Sequence, residues 1–184
     1  MKLLSLKTLF VSFLFFYLKV GYAQNIPLKY VCMPCGSSCD TLIYEKGGKC
    51  THCGMELVDK KSIVFKEISP AQLSEIVNRN PEVILLDVRT SEEFNGKAKV
   101  NSYGRLKNAI NIPIQELESR INELKRFKDK EIIVYCSHSH RSPRASYLLT
   151  VKGFSNVKNM SGGMSIWESS VKSVQGGMFL FIKH

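Results

Sequence analysis

Residues 131–146 read EIIVYCSHSHRSPRAS and set one cysteine, Cys136, between an apolar run and an arginine. The other five of the six cysteines, Cys32, Cys35, Cys39, Cys50 and Cys53, crowd together near the start of the chain. EIIVYC reads as a strand. Ser142-Pro143 opens a helix, because proline suits the first helical turn. The loop from Cys136 to Arg141 therefore joins the carboxyl end of a strand to the amino end of a helix, where open α/β sheets bind ligands. Unpaired amides and partial positive charge at that helix end hold anions and lower the pKa of a thiol. Arg141 adds a fixed charge and a fork of donors.

Two chemistries use such a loop: attack on a phosphate ester and attack on the outer sulfur of a sulfane donor. The count here is C-x4-R. A phosphatase loop is one residue longer, because it wraps a tetrahedral phosphate; the shorter loop suits a persulfide carried on the cysteine. A buried structural cysteine is the plain alternative, and the wholly polar SHSHRS that follows argues against it. His138 and His140 read as solvated loop residues, with a cationic bias on the thiol as the alternative.

The five remaining cysteines include two pairs, Cys32-x2-Cys35 and Cys50-x2-Cys53, with 14 residues between them. Each pair offers two sulfur ligands from one turn, and two such turns meeting make a tetrahedral site for one zinc or copper ion. A disulfide framework is the rival in an oxidising compartment. Cys39 is the odd thiol, free to ligate, to form a mixed disulfide or to accept sulfur from Cys136.

These groups need a scaffold. From about Ser62, β-rich runs at 63–68, 83–88, 109–113, 131–136 and 156–160 alternate with helical segments. Ser69 with Gln72, and Thr90 with Glu93, form capping boxes. IQELESRINEL sets Ile114, Leu117, Ile121 and Leu124 on one helical face. The alternation predicts an α/β domain with a mostly parallel sheet. Asp87 and Arg89 read as an ion pair tying a strand end to the next helix. Residues 176–184 read as an apolar tail that packs or frays.

The chain of 184 residues carries a formal charge of +10. No basic run is dense or interleaved with aromatics, which excludes a nucleic-acid surface; the charge serves solubility and attracts anions. Residues 1–23 have a positive start, a ten-residue apolar run at 9–18, and Gly21-Tyr22-Ala23. That is a secretory signal peptide with cleavage before Gln24. The run is too short to cross a bilayer. The expectation is an exported protein, periplasmic or secreted, with no stable membrane span after cleavage.

LLDVRTSEEF (85–94), NAINIP (108–113), VYCSHSHRS (134–142) and NMSGGMSIW (159–167) appear in the order found in single-domain rhodaneses, and residues 62–175 resemble that sulfurtransferase family. The resemblance implies a five-stranded parallel sheet flanked by helices. It implies that Cys136 takes sulfane sulfur from a small anionic donor, such as thiosulfate or a persulfide, and passes it to a thiol or cyanide-like acceptor without a cofactor. The amides of Ser137, His138, Ser139, His140 and Arg141 would cradle the persulfide, and Arg141 would orient the donor. The sequence departs from the family at Ser139 and Asn108, where glycine is usual, at Gly104-Arg105-Leu106, and in an insertion at 95–103. GKC (48–50) and CGMEL (53–57) resemble the small heavy-metal binding domain of copper efflux proteins, with Cys35 in place of a histidine; Met55 is then a candidate soft ligand for Cu(I). The expected organisation is a signal peptide (1–23), a small cysteine-rich, zinc-ribbon-like metal-binding module (24–61) with Cys32, Cys35, Cys50 and Cys53 as ligands, a rhodanese-like domain (62–175) and a tail (176–184). The alternative is a heavy-metal handling protein in which the larger domain serves as a binding or sulfur-relay module.

Overall fold

The computed structural model describes residues 28–100 and 103–184; the expected signal peptide lies outside them. Among the described residues no helix is long and apolar enough to cross a membrane.

Five strands build the main sheet: β3 (Lys66–Ile68), β4 (Ile84–Asp87), β6 (Ile110–Asn111), β7 (Glu131–Tyr135) and β8 (Asn156–Met160). Their order is β3-β8-β7-β4-β6, and every pairing is parallel. Strands of a parallel sheet are covered on both faces, so their side chains alternate between two apolar layers rather than between core and water. Ile133 and Tyr135 of β7 join Leu73, Leu85, Met160 and Trp167 on one face. Ile132 and Val134 join Leu86, Leu149 and Val157 on the other.

Local chemistry sets the helices. Ahead of α1 (Pro70–Arg79) the Ser69 hydroxyl accepts from the Gln72 amide while the Gln72 side chain accepts from the Ser69 amide. Thr90 and Glu93 do the same for the single turn of α2 (Ser91–Phe94). Helix α3 (Ser142–Val151) follows the active loop, and α4 (Trp167–Val171) follows the double-glycine turn. The segment expected to be a helix at 114–124 differs. It forms turns and then a 3-10 helix over Ile121–Phe127. The face is nevertheless the expected one, since Leu117 and Leu124 are fully buried and Ile114 and Ile121 pack against the same layer. Burial decided the outcome there, and a 3-10 path delivers the same residues to the core.

Two small antiparallel pairs complete the chain. β1 (Tyr30–Cys32) pairs with β2 (Leu57–Asp59) to frame the cysteine-rich module. β5 (Arg105–Leu106) pairs with β9 (Phe181–Ile182), so part of the apolar tail is an ordered strand.

Asp87 and Arg89 are both fully buried. The Arg89 guanidinium donates to both Asp87 oxygens, at 2.6–3.0 Å. It then reaches the carbonyls of Tyr103 (3.0 Å) and Gly104 (3.2 Å). The pair thus anchors the loop entering β5 as well as the strand end. Removing one partner strands a buried charge. Arg89→Met is expected to cost about 3–5 kcal/mol, and the double variant Asp87→Asn/Arg89→Met less than the sum of its singles. Denaturant unfolding of the four chains measures both.

Candidate functional site

β7 ends at Tyr135, and Cys136 follows, almost fully buried at the head of the loop leading into α3. The loop's orientation is fixed from behind. The carbonyl of Cys136 accepts from the Met164 amide and that of Ser137 from the Ser165 amide, each at 2.9 Å. That approach requires Gly163: with φ of 63°, a Cβ there would stand 2.5 Å from both carbonyl oxygens. With carbonyls held outward, amides face the sulfur. The Ser142 hydroxyl donates to Sγ at 3.5 Å, and the backbone amides of Arg141, Ser142 and His138 favour the thiolate. Burial pushes the Cys136 thiol up, but these donors outweigh it and hold it below its ordinary value.

Ser139 occupies the left-handed region, with φ of 61°. Glycine would accept that backbone without strain, and serine carries it at a cost. Its hydroxyl accepts from the Asn159 amide group at 3.0 Å. Asn108 is left-handed as well, with φ of 58°. Both positions are those at which the sequence replaces a usual glycine. His140 is exposed. His138 is exposed too, and shares a 3.0 Å hydrogen bond with the Tyr103 hydroxyl.

Arg141 does not stand free at the loop mouth. Its terminal nitrogens donate to the two oxygens of Glu93 at 2.6 and 2.8 Å, and one reaches the Ser137 hydroxyl at 3.0 Å. Ser137 in turn donates to Glu93 at 2.7 Å. Glu93 is the participant that sequence reasoning missed. It read as a helix cap, which it is, but its position on the turn after β4 also carries it to the neighbouring strand-end loop. Burial pushes its carboxyl up, yet Arg141, Ser137 and the Thr90 amide prevail and hold it at about 2.

Cys32, Cys39 and Cys50 form a buried cluster with Cys35, Tyr44, Met55 and Leu57 around it, and Cys53 is exposed beside it. The sulfurs of Cys32, Cys39, Cys50 and Cys53 lie within 4.8 Å of one another. Cys32 and Cys53 are 3.2 Å apart, and Cys39 and Cys53 3.6 Å. Four thiolates on one ion with bonds near 2.3 Å would sit about 3.8 Å apart, so the quartet fits a tetrahedral metal. The sequence expectation named Cys35 where this quartet has Cys39, and Cys35 stands in a second close group with Cys32, Cys39 and Asp40. The 3-10 turn Ser38–Thr41 folds Cys39 inward, whereas Cys35 turns toward Asp40, 3.2 Å from its Oδ1. Met55 packs beside the cluster as an apolar neighbour. Burial pushes the Cys39 thiol up to about 12 and the Cys32 thiol well up, whereas the Tyr44 hydroxyl and the amides of Cys53 and His52 draw Cys50 down to about 6. Crowded thiols resist joint ionisation, and a cation removes that resistance.

The family model of the rhodanese-like domain matches residues 69–170. The chain belongs to the rhodanese-like domain family. The match leaves the cysteine module outside it. YqhL of Bacillus subtilis is 36% identical over 89 residues, covering 48% of this chain and 64% of that protein. A sulfurtransferase of Allochromatium vinosum is 29% identical over 104 residues, covering 56% of this chain and 89% of the relative. The crystal structure of a rhodanese-related protein from Thermoplasma volcanium superposes with a TM-score of 0.48 at 31% identity, covering 58% of this chain and 93% of that one. The chain spans less than two thirds of the length of several curated relatives that it matches.

Because Glu93 is held below an ordinary carboxylate, its contribution to stability is complete above about pH 4.3 and is lost as pH falls through about 2. Glu93→Gln is expected to be less stable than the parent by about 2–3 kcal/mol near neutrality, with the difference closing as pH falls through that window. Unfolding measured across the acid range checks both the size and the closing.

Proposed function

We propose that the rhodanese-like domain is a sulfurtransferase working through a persulfide on Cys136. One observation carries the reading: a buried thiol just after β7 whose sulfur accepts from the Ser142 hydroxyl, at the head of a C-x4-R loop whose carbonyls are bonded away from it. The Cys136 thiolate attacks the outer sulfur of a donor such as thiosulfate, the donor's S–S bond breaks, and sulfite departs. A thiol or cyanide-like acceptor then attacks the outer sulfur of the persulfide, and Cys136 leaves as thiolate. The partly exposed Arg141, held in place by Glu93, favours anionic sulfur at the loop. The names of the relatives, sulfurtransferase among them, agree with this reading.

Cys136→Ser is expected to abolish thiocyanate formation from thiosulfate and cyanide while the fold is retained. Arg141→Ala is expected to weaken donor use by about tenfold or more, because an Arg-assisted contact is worth about 1.5–3 kcal/mol. Steady-state kinetics of both chains decides; undiminished turnover by Cys136→Ser would overturn the assignment.

A second reading concerns the module, which we take to span residues 24–61 and to hold one thiophilic ion, zinc or copper, in a Cys32–Cys39–Cys50–Cys53 quartet. Mutual closeness of four sulfurs supports a shared metal over two separate disulfides, since a disulfide joins one pair at about 2 Å and leaves the others unconstrained. So few apolar residues cannot hold the module alone, and metal binding supplies folding energy. The charge, apolar run and small residues of segment 1–23 support export. A native mass spectrum of protein recovered from outside the cytoplasm is expected to show loss of residues 1–23, one bound metal ion, and one added sulfur after thiosulfate. A metal-free chain whose four quartet cysteines are already oxidised would reject the metal centre.

A further inference from the structure

The module gathers more metal-ligating groups than one tetrahedral ion can use. Beside the quartet of Cys32, Cys39, Cys50 and Cys53 stands a second set of four close ligand atoms, from Cys32, Cys35, Cys39 and Asp40. The two sets share Cys32 and Cys39. Among the described residues, no such group joins Cys35 or Asp40 to Cys50 or Cys53. This is the pattern of two tetrahedra with a common edge: two central sulfurs, and a separate pair of ligands on either side. Both shared cysteines are buried, at 0% and 1% exposure. The Cys39 sulfur lies 3.6 Å from that of Cys53 in one set and 3.6 Å from that of Cys35 in the other. The outer pair of the second set is also shaped for a cation. Cys35 Sγ lies 3.2 Å from Asp40 Oδ1, and a thiolate and a carboxylate oxygen on one zinc ion would stand about 3.6 Å apart. The Asp40 carboxylate accepts from the amides of Cys35 and Gly36, at 3.0 and 2.7 Å. Such hydrogen bonds orient a ligating carboxylate. Cys32 and Asp40 both line a cavity of about 420 Å³, which gives an ion a way in.

We infer that the module binds a second divalent ion, of the zinc class, on Cys32, Cys35, Cys39 and Asp40, with Cys32 and Cys39 bridging it to the quartet ion. This rests on the reading of the quartet as a metal centre and adds a neighbouring site to it. The donor set selects the ion. Three sulfurs and one carboxylate oxygen suit zinc, whereas Cu(I) prefers sulfur alone. A thiolate has lone pairs for two cations, so the shared cysteines can serve both ions. One divalent ion on four thiolates leaves two negative charges among buried sulfurs, and a second cation beside the shared pair offsets them. The second ion is the weaker of the two. Two of its sulfurs are already donating to the first, and its other ligands, Cys35 and Asp40, are partly exposed. The quartet therefore fills first and keeps its ion, while the second site fills when metal is in excess and empties first. Both C-x-x-C pairs then ligate, as their spacing suggests, and Cys39 joins them as a bridge.

The test uses the mature chain with Cys136→Ser, so that the remaining thiol takes no metal. The reduced protein is titrated with zinc and followed by native mass spectrometry, and a second sample is loaded with cadmium-113 for NMR. Two zinc ions are expected per chain, the second taken up only after the first and surrendered first to a chromophoric chelator. Two cadmium resonances are expected, coupled to each other through the shared sulfurs. Adding Cys35→Ser and Asp40→Asn together is expected to leave one ion and one resonance. Asp40→Asn alone keeps an acceptor for the Cys35 and Gly36 amides, and is expected to weaken the second ion by about tenfold or more while sparing the first. Saturation at one ion overturns the second site. So do two ions whose resonances are uncoupled, and so does a second ion that persists in the Cys35→Ser/Asp40→Asn chain. Should these variants fail to fold, stoichiometry and coupling in the chain that retains both residues still decide. A chain that takes up no ion at all gives a different pattern, and it removes the metal-centre reading together with this inference.

Discussion

Everything at the site depends on which way two peptide groups face. A strand-end loop can bind an anion only if its N–H groups converge, and they converge only if the carbonyls are turned away and satisfied elsewhere. Here the carbonyls of Cys136 and Ser137 are satisfied by the amides of Met164 and Ser165. That bond is made across a gap in which no side chain fits, so Gly163 is a requirement of the thiol's electrostatics although it never touches the sulfur. The Glu93–Arg141–Ser137 network holds the opposite end of the loop in the same way. The loop is thus braced at both ends before any donor arrives, which is how a binding loop avoids reorganisation at the moment of reaction.

The module is joined to this braced loop by backbone contact. Gly36 rests on Ser139 and His140, and Ser139 already holds a left-handed backbone that serine adopts at a cost. Strain at that point is affordable because the residue is fixed from two sides, by Asn159 through its hydroxyl and by Gly36 over its carbonyl. Whatever orders residues 32–40, including an ion on the quartet, therefore also presses on the loop.

The mostly parallel sheet, the strand leading into Cys136 and both capping boxes were legible in the sequence, because periodicity and capping are local signals. The 114–124 segment shows the limit of that: its apolar spacing identified the buried residues but not the helix type, since burial constrains a face and leaves the hydrogen-bond pattern open. Glu93 was legible as a cap and illegible as the partner of Arg141, because a carboxylate has two oxygens and only one role was visible locally. The expectation of Cys35 as a ligand followed the C-x-x-C spacing, and the Ser38–Thr41 turn adds Cys39 to the same cluster, which spacing alone does not reveal. Contacts between the two parts, such as Gly36 on Ser139, join residues remote in sequence, and no local pattern encodes them.

The order of the sheet has a consequence for how the chain comes together. β3 lies at an edge, and its strand partner is β8, so Lys66 waits for Lys158 before its ladder can form. Pairing across such a separation carries a large loop-closure cost and slows folding. The cysteine module closes over a far shorter stretch, with Tyr30 meeting Asp59. During synthesis from the amino terminus the strands that frame the module can therefore pair while the Cys136 loop is still unformed. Whatever the module's thiols meet in that interval, an ion or an oxidant, reaches them before the Cys136 loop exists.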